Sequence, residues 1–154
     1  MIHVMEINEL RDCDKLLLWR MEVIGCVFEN PTVGLKELYK QNKEYYRRHV
    51  SAGTYVGCEV TAGDKGVGCG GVCFYDELPS PDNPSGRCAY IMNIYVRRAY
   101  RGCGVGTKIV NWLVAEARKR GITKIVLETT DAGRGLYRAT GFGEYKDMMK
   151  YVKI

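Results

Sequence analysis

Residues 89–107, Ala-Tyr-Ile-Met-Asn-Ile-Tyr-Val-Arg-Arg-Ala-Tyr-Arg-Gly-Cys-Gly-Val-Gly-Thr, restrict the fold more than any other stretch of the chain. Ala89 to Val96 is β-branched and aromatic and too short for a stable helix, so it predicts a buried strand. Gly102, Gly104 and Gly106 then alternate through a basic turn, and from Thr107 onward apolar residues recur at helical spacing. A helix start leaves amide N–H groups without intrahelical partners and carries partial positive charge. Strand, glycine turn and helix in that order predict a phosphate cradle, with Arg101 as a charged clamp. A tight strand-to-helix connection with solvated arginines would use the same glycines, and both readings stand on these residues alone.

Two nucleotide-binding turns are excluded by spacing. A P-loop ends in Gly-Lys-Ser/Thr, whereas Gly106-Thr107-Lys108 has the last pair inverted. A Rossmann turn needs glycine where Thr107 stands; Glu128 does lie about 20 residues on, but too little chain follows to complete a dinucleotide domain. The net charge of +5 in 154 residues does not by itself call for nucleic acid. Arg97, Arg98, Arg101 and Lys108 gather near the glycine turn and suit a small polyanion.

The length and the 46% apolar content predict a single domain, 1–154, with one sizeable core. No apolar run reaches the length of a membrane span, and the first residues lack a basic segment followed by an apolar one, so the default location is the cytoplasm. Seven cysteines include no C-x-x-C pair and predict reduced, mostly buried thiols. With only His3 and His49 as imidazoles, no metal site is expected.

In chain order, Ile2 to Ile7 predicts an edge strand and Asn8 an N-cap. Leu10, Cys13, Leu17, Met21 and Ile24 then mark a helix with one buried face. Asn30-Pro31 breaks it, and a second helix runs from Leu35 to near Gly53. Thr54 to Val60 and Val67 to Tyr75 predict a hairpin, in which Gly68, Gly70 and Gly71 indicate a bulge or a close backbone approach. Asp76 to Arg87, rich in proline, is a loop whose length hints at a place in the site mouth. A helix from Thr107 to Arg120 connects to a strand, Ile122 to Thr130, parallel to 89–96 because a helix crosses between them. Gly133 to Thr140 is a short helix, and Phe142 to Val152 returns as one or two final strands.

Arg101, Gly104 and Gly106 form an Arg-x-x-Gly-x-Gly signature between a strand and an amphipathic helix. Downstream, Leu136-Tyr137-Arg138-Ala139-Thr140-Gly141-Phe142 follows a Leu-Tyr-x-x-x-Gly-Phe pattern. In this order, the two motifs resemble the GNAT family, the acetyl-coenzyme A dependent N-acetyltransferases. The resemblance covers residues 54 to 150 well and the first 50 in outline. It implies a mixed α/β fold with a central, mostly antiparallel sheet, one splayed parallel strand pair and flanking helices.

The resemblance further implies acetyl-CoA as cofactor and direct acetyl transfer to a primary amine of a small molecule, amino acid or peptide. Ile94, Tyr95 and Val96 would pair with the pantetheine amides, and the pyrophosphate would lie on the amides of Arg101, Gly102, Cys103, Gly104, Val105 and Gly106, with Thr107 close by. Tyr137 matches the tyrosine that protonates the departing sulfur. The segment joining the first two helices would choose the acceptor, through Glu22, Phe28 and Glu29. Two departures stand out: Thr130 and Gly133 replace the Asn and Ala many relatives carry, and strand 89–96 holds no carboxylate. The base therefore falls to Glu128, Glu22 or Glu29, with Asn93 able to orient a water. No nucleic acid or membrane partner is implied, and a homodimer is compatible. The missing strand carboxylate also fits an alternative, a non-catalytic acyl-CoA binding module on the same fold.

Overall fold

Five strands, β1 (Met5–Leu10), β2 (Tyr55–Ala62), β3 (Lys65–Asp76), β4 (Arg87–Val96) and β5 (Lys124–Leu127), form one sheet in that spatial order. The structure, a computed structural model, describes residues 3–28, 34–145 and 147–153. The first four strands pair antiparallel; β4 and β5 are parallel, joined across α3 (Val105–Lys119). This is the mixed sheet with one parallel pair that the sequence predicts.

Helices cover both faces. On one, Ile109, Leu113 and Ala117 of α3 are fully buried against Val60, Val67, Val72 and Ile91. On the other, Leu16, Leu17, Trp19 and Val23 of α1 (Cys13–Val27) and Tyr46 of α2 (Leu35–Ala52) pack with Tyr55 and Cys69. Each such aliphatic side chain contributes about 1.5–3 kcal/mol by leaving water. α3 lies close because β3 is bare beneath it: a Cβ on Gly70 would come within 2.5 Å of Ile109 Cγ2 and 3.0 Å of Leu113 Cδ1. The β3 glycines thus serve a close approach, and a bulge lies opposite Gly70 as well.

Several boundaries differ from the sequence expectation. Asn8 is not an N-cap; it sits inside β1 opposite Glu59. The cap is Asp12, whose Oδ1 accepts from the amides of Asp14 at 3.0 Å and Lys15 at 3.2 Å. Pairing with β2 carries β1 on to Leu10, so ladder hydrogen bonds outweigh the local capping preference of Asn8. α3 begins at Val105 rather than Thr107, and β5 ends at Leu127 rather than Thr130. The final strands are absent among the described residues: 142–145 and 147–153 hold no strand. Gly141 at φ 104° and Asp147 at φ 72° take left-handed conformations that a continuous strand cannot pass through.

The proline-rich loop is ordered around Asn83, 1% exposed, whose Nδ2 donates to Glu77 Oε1 at 3.1 Å and to Arg87 O at 3.2 Å. Glu77 is also ion-paired with Lys124 at 2.7 Å. These contacts put the loop at the beginnings of β4 and β5. It therefore does not line the mouth at the far end, where the glycine turn lies.

Candidate active site

β4 and β5 pair from Cys88↔Lys124 to Ile91↔Leu127 and no further. β4 continues from Met92 to Val96 bonded to β3 alone, so its other edge is open there. At the divergence β4 carries a bulge: Gly71 pairs with Met92 and Cys69 with Tyr95, leaving Asn93 and Ile94 opposite Gly70. Asn93 adopts φ 58°, unusual for a residue with a side chain. Such a bulge bends its strand, here two residues beyond Ile91, the last residue of β4 to pair with β5. Ile94 and Val96 pack toward α3, and Tyr95 toward Trp19 of α1, with ring centroids 6.3 Å apart.

Beyond Val96, a 3-10 turn (Arg98–Tyr100) leads to Arg101 and the glycines. Gly102 at φ 75° and Gly104 at φ 80° are left-handed, and a Cβ on either would meet nothing within 4 Å. Glycine is required at these two positions by the backbone, and the space beside them is open. No side chain caps α3; its first bond runs from the Lys108 amide to Gly104 O at 3.1 Å. The amides of Val105, Gly106 and Thr107 are thus the unpaired donors of a helix start. Gly106 has a different reason to be glycine, since a Cβ there would stand 3.0 Å from Leu136 Cδ2.

Arg101 Nε donates to Val96 O at 2.9 Å, and the guanidinium lies 5.9 Å from the centroid of the Tyr95 ring. Its Nη groups make no hydrogen bond among the described residues. Cys103 is exposed, its Sγ 3.7 Å from Arg101 O, and Cys26 is exposed as well, so these two thiols depart from the buried pattern expected of the cysteines.

Tyr137 stands on α4 (Arg134–Ala139), half-buried, its ring edge-on to Phe142 at 6.0 Å. Burial alone pushes its phenol above the usual value, so the hydroxyl keeps its proton through the neutral range. Glu128 follows β5 directly. Ile125 and Leu127 pack toward α3, so alternation turns Glu128 to the α1/α2 face, beside Tyr90. Desolvation first, and the Glu128 carboxylate second, push the Tyr90 phenol up to about 12. An open cleft of about 1050 Å³ along the outer edge of β5 reaches Glu128 and Tyr137 but touches no residue of the glycine turn. It is therefore not the groove between β4 and β5.

Glu22 is held by Arg97, which donates from Nε at 3.0 Å and Nη2 at 2.8 Å; those bonds hold its carboxyl below the usual glutamate range. Phe28 closes α1 and is half-exposed, with Arg20 5.8 Å from its ring centroid. Glu29 lies outside the described residues. The sequence reading missed Arg20, whose Nη1 donates to Asn93 Oδ1 at 2.8 Å and whose Nε donates to Asn42 Oδ1 at 3.2 Å. The available signal was its place four residues after Leu16 and three before Val23, a charge within the buried stripe of α1.

A sheet whose one parallel pair separates beyond Ile91, with a glycine-led helix that no side chain caps, is the fold of the acetyltransferases. Residues 15–142 match the family described as Acetyltransferase (GNAT) family, and the chain belongs to it. It is 37% identical over 59 residues to glucosamine 6-phosphate N-acetyltransferase 1 of Oryza sativa, covering 38% of this chain and 36% of that protein. It is 34% identical over 65 residues to N-alpha-acetyltransferase 30 of Schizosaccharomyces pombe, covering 40% and 43% respectively. The matches span less than half the length of these curated relatives. A predicted acetyltransferase from Clostridium acetobutylicum, crystallised with acetyl-CoA, shares the fold with a TM-score of 0.88 at 24% identity, covering 97% of this chain and 96% of that one.

Proposed function

We propose that this chain is an acetyl-CoA dependent N-acetyltransferase that moves an acetyl group directly to a primary amine of a small molecule, amino acid or peptide. The observation that carries this is the open edge of β4 from Met92 to Val96 leading into the uncapped start of α3. The residues fit the cofactor. Its pyrophosphate suits the amides from Arg101 to Thr107, with Gly102 and Gly104 leaving the approach clear and the Arg101 guanidinium alongside. Its amide-bearing arm suits the backbone of Ile94, Tyr95 and Val96. When bound, acetyl-CoA supplies an acetyl thioester.

The chain's own residues then have two tasks. Tyr137 holds its proton at Oη through the neutral range, because burial raises its pKa, and acts as a placed hydrogen-bond donor to a leaving sulfur rather than as a strong acid. Glu128 takes a proton from the incoming ammonium, directly or through a water that Asn93 orients. Glu22 is the poorer base, being bound to Arg97 and held as a carboxylate. Transfer without an acyl-enzyme is favoured because, among the described residues, the sulfur of Cys103 has no hydrogen-bond partner but Arg101 O and so no base beside it. Residues 1–154 would act as one domain in the cytoplasm.

Thiol release from acetyl-CoA, measured with a panel of primary amines and mass spectrometry of the products, tests the reading. Acceptor-dependent release with an acetylated amine is the expected result. Coenzyme A binding without release across the panel would favour a non-catalytic acyl-CoA binding module.

A further inference from the structure

Arg20, Arg120 and Arg134 are the half-buried arginines among the described residues. Arg120 has Glu116 at 3.3 Å and Arg134 has Glu144 at 2.9 Å. Arg20 has no carboxylate within ion-pair distance among the described residues. Glu22, its neighbour on α1, is bound through both oxygens to Arg97. Arg20 rests on two neutral amide oxygens, Asn93 Oδ1 and Asn42 Oδ1, and its Nη2 makes no hydrogen bond among the described residues.

A cation drawn out of water needs a counter-charge, and a guanidinium oriented by two amides is prepared for one. Its position says what would supply it. Asn93 occupies the β4 bulge, next to Ile94, where the strand pair opens. Arg20 therefore lies on the α1/α2 side of the opening, on the face to which Glu128 also turns. A basic group and an acidic group on one face suit an acceptor that carries both an amine and an anion.

We propose that Arg20 is a specificity-determining residue that reads an anionic group, a carboxylate or a phosphate, on the amine acceptor. This rests on the reading of the chain as an amine acetyltransferase. Asn42 and Asn93 hold the guanidinium in place, and its free Nη edge donates charge-assisted hydrogen bonds to the anion.

The test offers acceptors in matched pairs, alanine against alaninamide and phosphoethanolamine against ethanolamine, to the wild-type protein and to Arg20→Gln and Arg20→Lys. The wild type should favour the anionic member of one pair by about ten-fold or more in kcat/KM, and the pair that responds identifies carboxylate or phosphate. Arg20→Gln should abolish the preference through the acceptor KM, with the KM for acetyl-CoA unchanged, and Arg20→Lys should retain part of it. Equal loss for both members of a pair would mean that Arg20 only staples α1, α2 and β4 together, and a wild-type preference for neutral members would overturn the proposal outright. If no amine is acetylated although coenzyme A binds, the transferase reading fails, and Arg20 is judged by melting temperature of the coenzyme A-saturated protein. A rise with acetate or inorganic phosphate that Arg20→Gln abolishes would support an anion site, and an equal rise, or none, would contradict it.

Discussion

Gly106, in the first turn of α3, lies against Leu136 of α4, so that a Cβ on Gly106 would stand 3.0 Å from Leu136 Cδ2. The glycine turn and the segment carrying Tyr137 are therefore packed as one unit, although 30 positions separate Gly106 from Leu136 along the chain. The two glycines flanking Val105 consequently have different roles, and substitution should separate them.

Gly104→Ala forces a side chain into a left-handed backbone and should cost about 1–2 kcal/mol of stability. Gly106→Ala meets only the tip of a flexible leucine, and its gain in helix propensity, up to about 1 kcal/mol, should nearly offset that crowding. Thermal unfolding of the two variants side by side should show a clear fall for the first and little change for the second. Equal falls would mean that Leu136 cannot give way, and would contradict the expectation that the crowding at Gly106 is relieved by a flexible side chain.

Arg101→Ala should raise the coenzyme A dissociation constant about ten-fold or more, since a charge-assisted phosphate contact contributes about 1.5–3 kcal/mol. The variant also loses the bond to Val96 O. Calorimetry at low and high salt should show the gap narrowing as salt rises. Unchanged affinity in a folded variant would remove Arg101 from the phosphate site.

The pH profile should distinguish the carboxylates. Glu22 is held below its ordinary pKa by the Arg97 bonds, so its contribution to stability is present above the unfolded glutamate value and is lost as pH falls through the lowered one. Glu22→Gln should therefore flatten acid unfolding below about pH 4 while leaving the acidic limb of the activity profile in place. Glu128→Gln should do the reverse, lowering turnover about ten-fold to a thousand-fold and removing that limb. A limb that survives in Glu128→Gln would assign the base elsewhere.

Much of this architecture was legible from local pattern. The strand, the glycine turn, the amphipathic helix and the parallel partner strand follow from periodicity and from the crossing helix. What was not legible depends on partners distant in sequence. β1 takes in Asn8 because β2 pairs with it, and Asp12 caps α1 instead. Phe142 to Val152 alternates in part like a strand, yet Gly141 and Asp147 are left-handed and the described residues there join no sheet. Glu22 reads as a candidate base because nothing near it in sequence announces Arg97, 75 positions on. Arg20 was not legible because its partners, Asn42 and Asn93, lie 22 and 73 positions away in the chain.

The most direct measurement is single-turnover acetyl transfer by Tyr137→Phe, compared with the wild-type protein. The phenyl ring keeps the contact with Phe142 and removes only the donor. Turnover should fall about ten-fold to a thousand-fold while coenzyme A affinity and melting temperature stay nearly unchanged. Wild-type turnover in a folded Tyr137→Phe protein would show that the residue only packs, and would contradict proton donation from Tyr137 to the departing sulfur.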